Sequence, residues 1–162
     1  EECKDTPLMA QCPAVKELLD NMHCEILSVR FLNLKAGAHI KPHQDHELAF
    51  ENGEARLHFP VFTNEQVEFF IEDERVRMNE GECWYINANL THRVANKGTA
   101  DRIHLVIDCK VNNWLKKVFE LGHKTFAVVN KEQIRQVIAE LRSQQTEIGD
   151  KLALELERTH FL

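Results

Sequence analysis

His43 and Asp45, in the stretch KPHQDHE, form a His-x-Asp pair just after a strand-like segment. Chance alone gives roughly 0.4 such pairs in a chain of this composition, so the motif taken alone reads as an exposed polar loop. His39 and His46 crowd the same stretch and compete with it as ligand candidates. A second histidine changes the reading. His92 lies in NANLTHRVANKG, a strand-like run into a glycine-containing turn. Two imidazoles and one carboxylate on one face of a metal leave several coordination positions open, the arrangement that non-haem Fe(II) oxygenases use. No thiolate belongs to the group, which suits an iron that must accept oxygen and a substrate.

The placement of positive charge adds a third element. In DRIHLVIDC, strand alternation puts Arg102, His104 and Val106 on one side and Ile103, Leu105 and Ile107 on the other. In ARLHFPVF it sets Arg56 and His58 together, opposite Leu57 and Phe59. An arginine facing a barrel mouth is costly unless it meets an anion. For either arginine the plain alternative is a salt bridge to one of the plentiful Asp and Glu residues. Of the remaining polar residues, His104 reads as a core histidine or a neighbour of the site, and Asn87, Asn89 and Asn96 as turn formers. Asp108 reads as a cap at a strand end. Ser28 and Arg30 alternate on an earlier strand, and nothing local decides whether they reach the mouth; Trp84 and Tyr85 read as core.

Short strands must carry these groups. Residues 25–35, 38–42, 55–62, 67–72, 75–78, 82–87, 91–96 and 102–110 have strand character, with clear turns at Asn52-Gly53, Asn79-Glu80-Gly81 and Lys97-Gly98. About eight strands at this spacing predict a mainly β fold, a double-stranded β-helix of the jelly-roll, cupin-like kind. Such a fold brings the His92 strand beside the one carrying His43. No strand alternates with a long helix, which excludes a parallel α/β sheet. Residues 13–22 form an N-terminal helix, with Pro13 in its first turn and Val15, Leu18, Leu19 and Met22 on one face. After residue 111 the pattern turns helical. Trp114, Leu115, Val118 and Phe119 share a face up to Gly122. Asn130 with Gln133 resembles a capping box that opens a helix with Ile134, Val137, Ile138 and Leu141 on one side, and Ile148, Leu152 and Leu156 continue the stripe. We read one domain over 1–162, with helix and jelly-roll core at 13–110 and a helical extension at 111–162. The stripe packs on the β-core or on a second subunit, so a homodimer is one option.

At 162 residues and 18.8 kDa, 43% apolar and 28% charged, the chain is long enough for one good core. Its net charge of −6 argues against nucleic acid and anionic membrane surfaces as partners. No transmembrane or signal segment is visible. Five cysteines without a CxxC exclude a zinc ribbon and point to a reducing, cytoplasmic compartment.

The stretches HIKPHQD, ARLHFPV, GECWYINANLTHRVAN and DRIHLVID together resemble the aspartyl/asparaginyl β-hydroxylase family of 2-oxoglutarate-dependent dioxygenases. The spacing from His92 to Arg102 and the Arg56-x-His58 strand are the most specific points, and the resemblance spans about half the chain, from Leu34 to Asp108. It implies iron held by His43, Asp45 and His92, with Arg102 anchoring the distal carboxylate of 2-oxoglutarate. Arg56 and His58 match positions that contact the co-substrate, and which carboxylate each touches is left open. The implied reaction hydroxylates an amino acid, or an aminoacyl or peptidyl group, using O2 and releasing succinate and CO2. The prime substrate, its regiochemistry and the oligomeric state do not follow. Residues 46–54 and the first residues are candidates for a lid or rim. Two rivals stand beside this reading. One is a cupin-like, non-oxidative metal enzyme or small-ligand binder, since Gly81, His92 and Asn96 fall at the spacing of a cupin motif. The other is a metal-free interaction module.

Overall fold

The computed structural model describes residues 4–45, 48–122, 131–143 and 145–160. The chain divides into two compact units, Glu1–His123 and Lys124–Leu162. In the first, a short 3-10 turn, Pro7–Gln11, leads into helix α1 (Pro13–Asp20), which starts on the proline. Pro13 brings a φ already suited to a helix and lacks only an N–H that would have had no partner there. Eight strands follow: β1 (Ile26–Leu34), β2 (His39–His43), β3 (Glu54–Phe62), β4 (Val67–Ile71), β5 (Glu74–Val76), β6 (Trp84–Tyr85), β7 (His92–Asn96) and β8 (Arg102–Lys110). They pair antiparallel into two four-stranded sheets, ordered β1-β8-β3-β6 and β2-β7-β4-β5. The fold is the expected jelly roll, and every expected strand is present within a few residues of its anticipated ends. Gly53 and Gly81 occupy turns with φ of 88° and 81°, a region that glycine enters without a Cβ penalty.

The core follows from strand alternation. Leu34, Phe69, Met78, Ile86 and Val94 are buried together, with Trp84 packed against them. A second cluster, Ala55, Leu57 and Cys109, is covered by Leu115 of helix α2 (Asn113–Leu121), with Trp114, Phe119 and Tyr85 around it. Trp84 and Tyr85 therefore point to opposite faces and both pack. Asn112 starts α2: its Oδ1 accepts the Leu115 N–H at 3.0 Å and its Nδ2 donates to the His23 carbonyl at 2.6 Å. Helix α2 thus belongs to the first unit, and the division of the chain falls after it rather than at residue 111.

The second unit holds helices α3 (Lys131–Ser143) and α4 (Glu147–His160). Ile138 and Ala153 are buried between them, with Leu141 and Leu156 alongside, and Arg142 pairs with Glu157 at 2.8 Å. The capping box at Asn130 lies outside the described residues, as do the side chains of Gln133 and Ile134. Among the described residues no helix is long and apolar enough to cross a membrane.

Asn96 closes the hairpin from β7 to β8. Fully buried, it donates through Nδ2 to the carbonyls of Leu34 (3.0 Å) and Ala100 (2.8 Å), and its Oδ1 accepts the Gly98 N–H at 3.1 Å. Truncation strands several polar groups at the end of the strand that precedes Arg102. Asn96→Ala should lower the unfolding free energy by about 2–4 kcal/mol in urea titrations. A loss under about 0.5 kcal/mol, below the worth of a single buried hydrogen bond, would show that the hairpin holds without it.

Candidate metal centre

β2 ends at His43 and β7 begins at His92, and the two residues face each other across the ladder with ring centroids 4.2 Å apart. A bulge produces this match. From Ile40 to His43 the edge strand β2 uses one residue more than β7 does from Val94 to His92, so the side-chain alternation flips. Pro42 sits in the irregular stretch, where a missing N–H is tolerated. Asp45, just past the strand, is held by its own N–H on the Ala88 carbonyl at 2.8 Å. One ligand atom from each of His43, Asp45 and His92 lies within 4.8 Å of the others.

The two rings are oriented in the same way. His43 Nδ1 meets the Lys41 carbonyl at 2.9 Å, and His92 Nδ1 meets the Leu90 carbonyl at 3.0 Å. A carbonyl only accepts, so both Nδ1 atoms carry the proton and the Nε2 lone pairs are left for a cation. Phe69 stacks on His92 at 6.2 Å. Glu72 clips the chain on both sides of that histidine. Its carboxylate and carbonyl accept from the Thr91 and Arg93 groups at 2.9 and 3.0 Å, and its N–H donates to the Thr91 carbonyl at 2.6 Å. Gln44 reaches the Thr91 hydroxyl at 3.2 Å, tying the two arms together.

Next to this group lies a charge network. Arg56 donates through Nη1 to Asp45 Oδ2 at 2.7 Å, and through Nε and Nη2 to the two oxygens of Asp108 at 2.7 and 3.0 Å. Asp108 also accepts from Ser28 Oγ (2.9 Å) and Arg30 Nη2 (2.7 Å). Desolvation pushes the Asp108 pKa up, but hydrogen bonds from Arg56 and Ser28 and the charge of both arginines hold it below the usual carboxylate range. For Arg56, then, the salt-bridge alternative is what the fold contains.

Arg102 differs. It is 4% exposed, and among the described residues no carboxylate pairs with it. Its Nη2 donates to His104 Nδ1 at 2.9 Å, and its Nε is buried without a partner. Burial brings its pKa down to about 10, so it remains a cation at neutral pH. His58, 7% exposed, has neither ring nitrogen satisfied. It lies 5.8 Å from the His104 ring and 6.3 Å from Phe69. Burial, followed by the charge of Arg102, lowers His58 to about 3 and His104 to about 2, so both stay neutral. A cavity of about 470 Å³, lined by Val67, Phe69, Met78, Asn79, Arg102 and His104 among others, opens here. Orphaned donors around one desolvated cation fit an anionic guest.

The structure brings His43, Asp45 and His92 together as one group, with Arg56 directly on Asp45. Arg102, His58 and His104 form a second cluster, linked to the first through Phe69, which lies 6.3 Å from the His58 ring and 6.2 Å from the His92 ring. His39 belongs to no ligand group among the described residues, and His46 lies outside them. The rim stretch 46–54 is described in part: Phe50–Asn52 is a short turn whose Phe50 stacks on Phe119 at 4.8 Å. Asp108 is no strand-end cap but the centre of the charge network. Its signal was in the sequence, because it shares alternation with Arg102 and His104. Glu72 had none, since nothing local reveals that a hairpin tip grips a neighbouring strand.

Two buried histidines with depressed pKa values make the metal-free protein acid-sensitive. The unfolded chain protonates near pH 6.5 and the folded one near 3 and 2, so their stabilising effect is complete above pH 6.5 and is lost as pH falls through the window below it. Unfolding free energy should drop between pH 6.5 and 4 with a slope of up to about 1.4 kcal/mol per pH unit for each histidine. His104→Gln should remove about half of that slope in urea titrations. A flat profile over this range would contradict the burial of these rings.

The family profile described as Aspartyl/Asparaginyl beta-hydroxylase matches residues 1–111. A curated relative, the L-proline cis-4-hydroxylase of Rhizobium meliloti (strain 1021), is 33% identical over 106 residues. That alignment covers 64% of this chain and 37% of the relative, so the chain spans little more than a third of that protein. Similar solved structures include a predicted oxalate decarboxylase from Thermotoga maritima, at 17% identity and TM-score 0.42 over 59% of this chain and 74% of that one. A cupin domain from Bordetella pertussis matches at 14% identity and TM-score 0.42, over 56% and 88% of the two chains. Both are likenesses of outline and add nothing to the site. With the profile covering more than two thirds of its length, this chain belongs to the aspartyl/asparaginyl β-hydroxylase family.

Proposed function

We propose that the chain is a non-haem Fe(II)- and 2-oxoglutarate-dependent hydroxylase of an amino acid, or of an aminoacyl or peptidyl group. One observation carries the reading: a two-histidine, one-carboxylate group and a buried guanidinium that lacks a carboxylate partner among the described residues occur in one jelly roll, linked through Phe69, whose ring lies 6.2 Å from His92 and 6.3 Å from His58. The donor set suits iron. Two neutral imidazole nitrogens and one carboxylate give a mixed N and O site with no thiolate, and the carbonyl ties on both Nδ1 atoms are the outer partners that such ligands need. A non-oxidative cupin enzyme acting on an anion would use Arg102 as well, and dependence of turnover on 2-oxoglutarate separates the two readings.

His43 and His92 would hold the metal through Nε2, and Asp45 through its carboxylate. With iron held there, 2-oxoglutarate and O2 would supply the oxidising power for hydroxylation of a C–H bond, with succinate and CO2 as co-products. Arg102 would bind the distal carboxylate of 2-oxoglutarate, a charge-assisted contact made stronger by exclusion of water. Its planar fork makes lysine a poor substitute there. His58, neutral at working pH, keeps one N–H to donate to the same guest. Val67, Phe69 and Met78 give the cavity apolar walls, and Phe69 also stacks on His92. The relative's name, an L-proline hydroxylase, supports a small amino acid as the prime substrate, and neither nucleic acid nor membrane is required.

The test is succinate release from Fe(II)-loaded protein with 2-oxoglutarate, across a panel of free amino acids that includes L-proline. Turnover that depends on 2-oxoglutarate and is lost in His92→Ala is expected. Arg102→Ala should raise the 2-oxoglutarate KM by about 10–100-fold while leaving metal affinity within about twofold. An unchanged KM would remove Arg102 from this role, and a folded, iron-loaded protein that never consumes 2-oxoglutarate would overturn the assignment.

A further inference from the structure

Asp108 makes its hydrogen bonds to Ser28, Arg30 and Arg56, and the last of these also holds the candidate metal ligand Asp45. Asp108 Oδ1 accepts from Arg56 Nε at 2.7 Å, and its Oδ2 accepts from Arg56 Nη2, Arg30 Nη2 and Ser28 Oγ at 3.0, 2.7 and 2.9 Å. All three donor residues come from the neighbouring strands: Ser28 and Arg56 sit directly opposite Asp108 in the β1–β8 and β3–β8 ladders. The side-on edge of the Arg56 guanidinium is thereby fully used. Only Nη1 is turned toward Asp45, and it reaches one oxygen, Oδ2, at 2.7 Å. An arginine beside a carboxylate otherwise favours the two-point fork. Such a fork would hold both oxygens of Asp45 and draw the carboxylate away from a cation.

We infer that Asp108 is a positioning residue of the metal centre. By locking Arg56 side-on, it restricts that arginine to a single contact with Asp45 and so sets the orientation in which Asp45 faces the metal. The inference rests on the metal-binding reading of His43, Asp45 and His92. It also gives Arg56 a task distinct from direct contact with the co-substrate. A purely structural tie between β3 and β8 would need only the Nε and Nη2 contacts of Arg56 with Asp108, whereas Nη1 goes on to Asp45. The network is nearly closed in charge, two guanidinium groups against two carboxylates, so it orients Asp45 without adding a net field beside it.

Co(II) is the probe, titrated into the full chain without 2-oxoglutarate while its visible bands are followed. Asp108→Asn should weaken Co(II) binding by about 10–100-fold and alter the band pattern. Arg56→Lys keeps the charge but loses the side-on fork, and it should do the same. The double variant should bind no more weakly than the worse single variant, because Asp108 acts through Arg56. Wild-type affinity and bands in either folded single variant would overturn the inference, as would losses that add in the double. If Asp108→Asn does not fold, Arg56→Lys alone decides the matter in the same way. The underlying metal reading fails separately, if wild type binds no Co(II) or if His92→Ala binds it equally well.

Discussion

Taking a guanidinium out of water without a counter-ion costs several kcal/mol, and one wall of this jelly roll is arranged around such a group. Arg102 is buried with an Nε, and beside a His58, for which no hydrogen-bond partner occurs among the described residues. Nothing in folding favours that arrangement, and an apolar residue would have packed there at lower free energy. The cost is sensible only if a guest supplies the anion. Burial, aided by the charge of the same cation, keeps the neighbouring histidines neutral, and thus able to donate rather than repel. The cavity at this position then reads as space for an anion instead of a packing defect.

The other polar cluster follows the opposite rule. Around Asp45 the charges of the described network are matched: Arg56 lies between two carboxylates, and Asp108 is shared by Arg56 and Arg30. Matched charges hold geometry, whereas unmatched ones hold appetite for a ligand. The barrel therefore separates a rigid, neutralised metal pocket from an electropositive recess. A reaction that couples a metal to an anionic co-substrate needs both.

Much of this was readable from the chain. Period-two alternation paired Arg56 with His58 in ARLHFPVF and Arg102 with His104 in DRIHLVIDC, and strand character with three clear turns located all eight strands. Three features were not readable, for physical reasons. The bulge that turns His43 toward His92 depends on how β2 settles against β7, and simple alternation from Ile40 would put Pro42 there. The choice between an ion pair and an open cation is a three-dimensional one: Arg56 has Asp108 directly across the ladder, while Arg102 has Leu34. Helix α2 reads as part of the helical tail by period, but Leu115 and the Asn112 cap fasten it to the β-core.

The central claim is that the metal group and the anion-seeking recess serve one guest. Anaerobic addition of 2-oxoglutarate to the Fe(II)-loaded protein tests it, through the weak visible charge-transfer band that a chelated 2-oxo acid gives with ferrous iron. The account predicts that the band grows with 2-oxoglutarate and saturates at one equivalent, and that it is absent from His92→Ala. A folded, iron-loaded wild type that shows no band would contradict it.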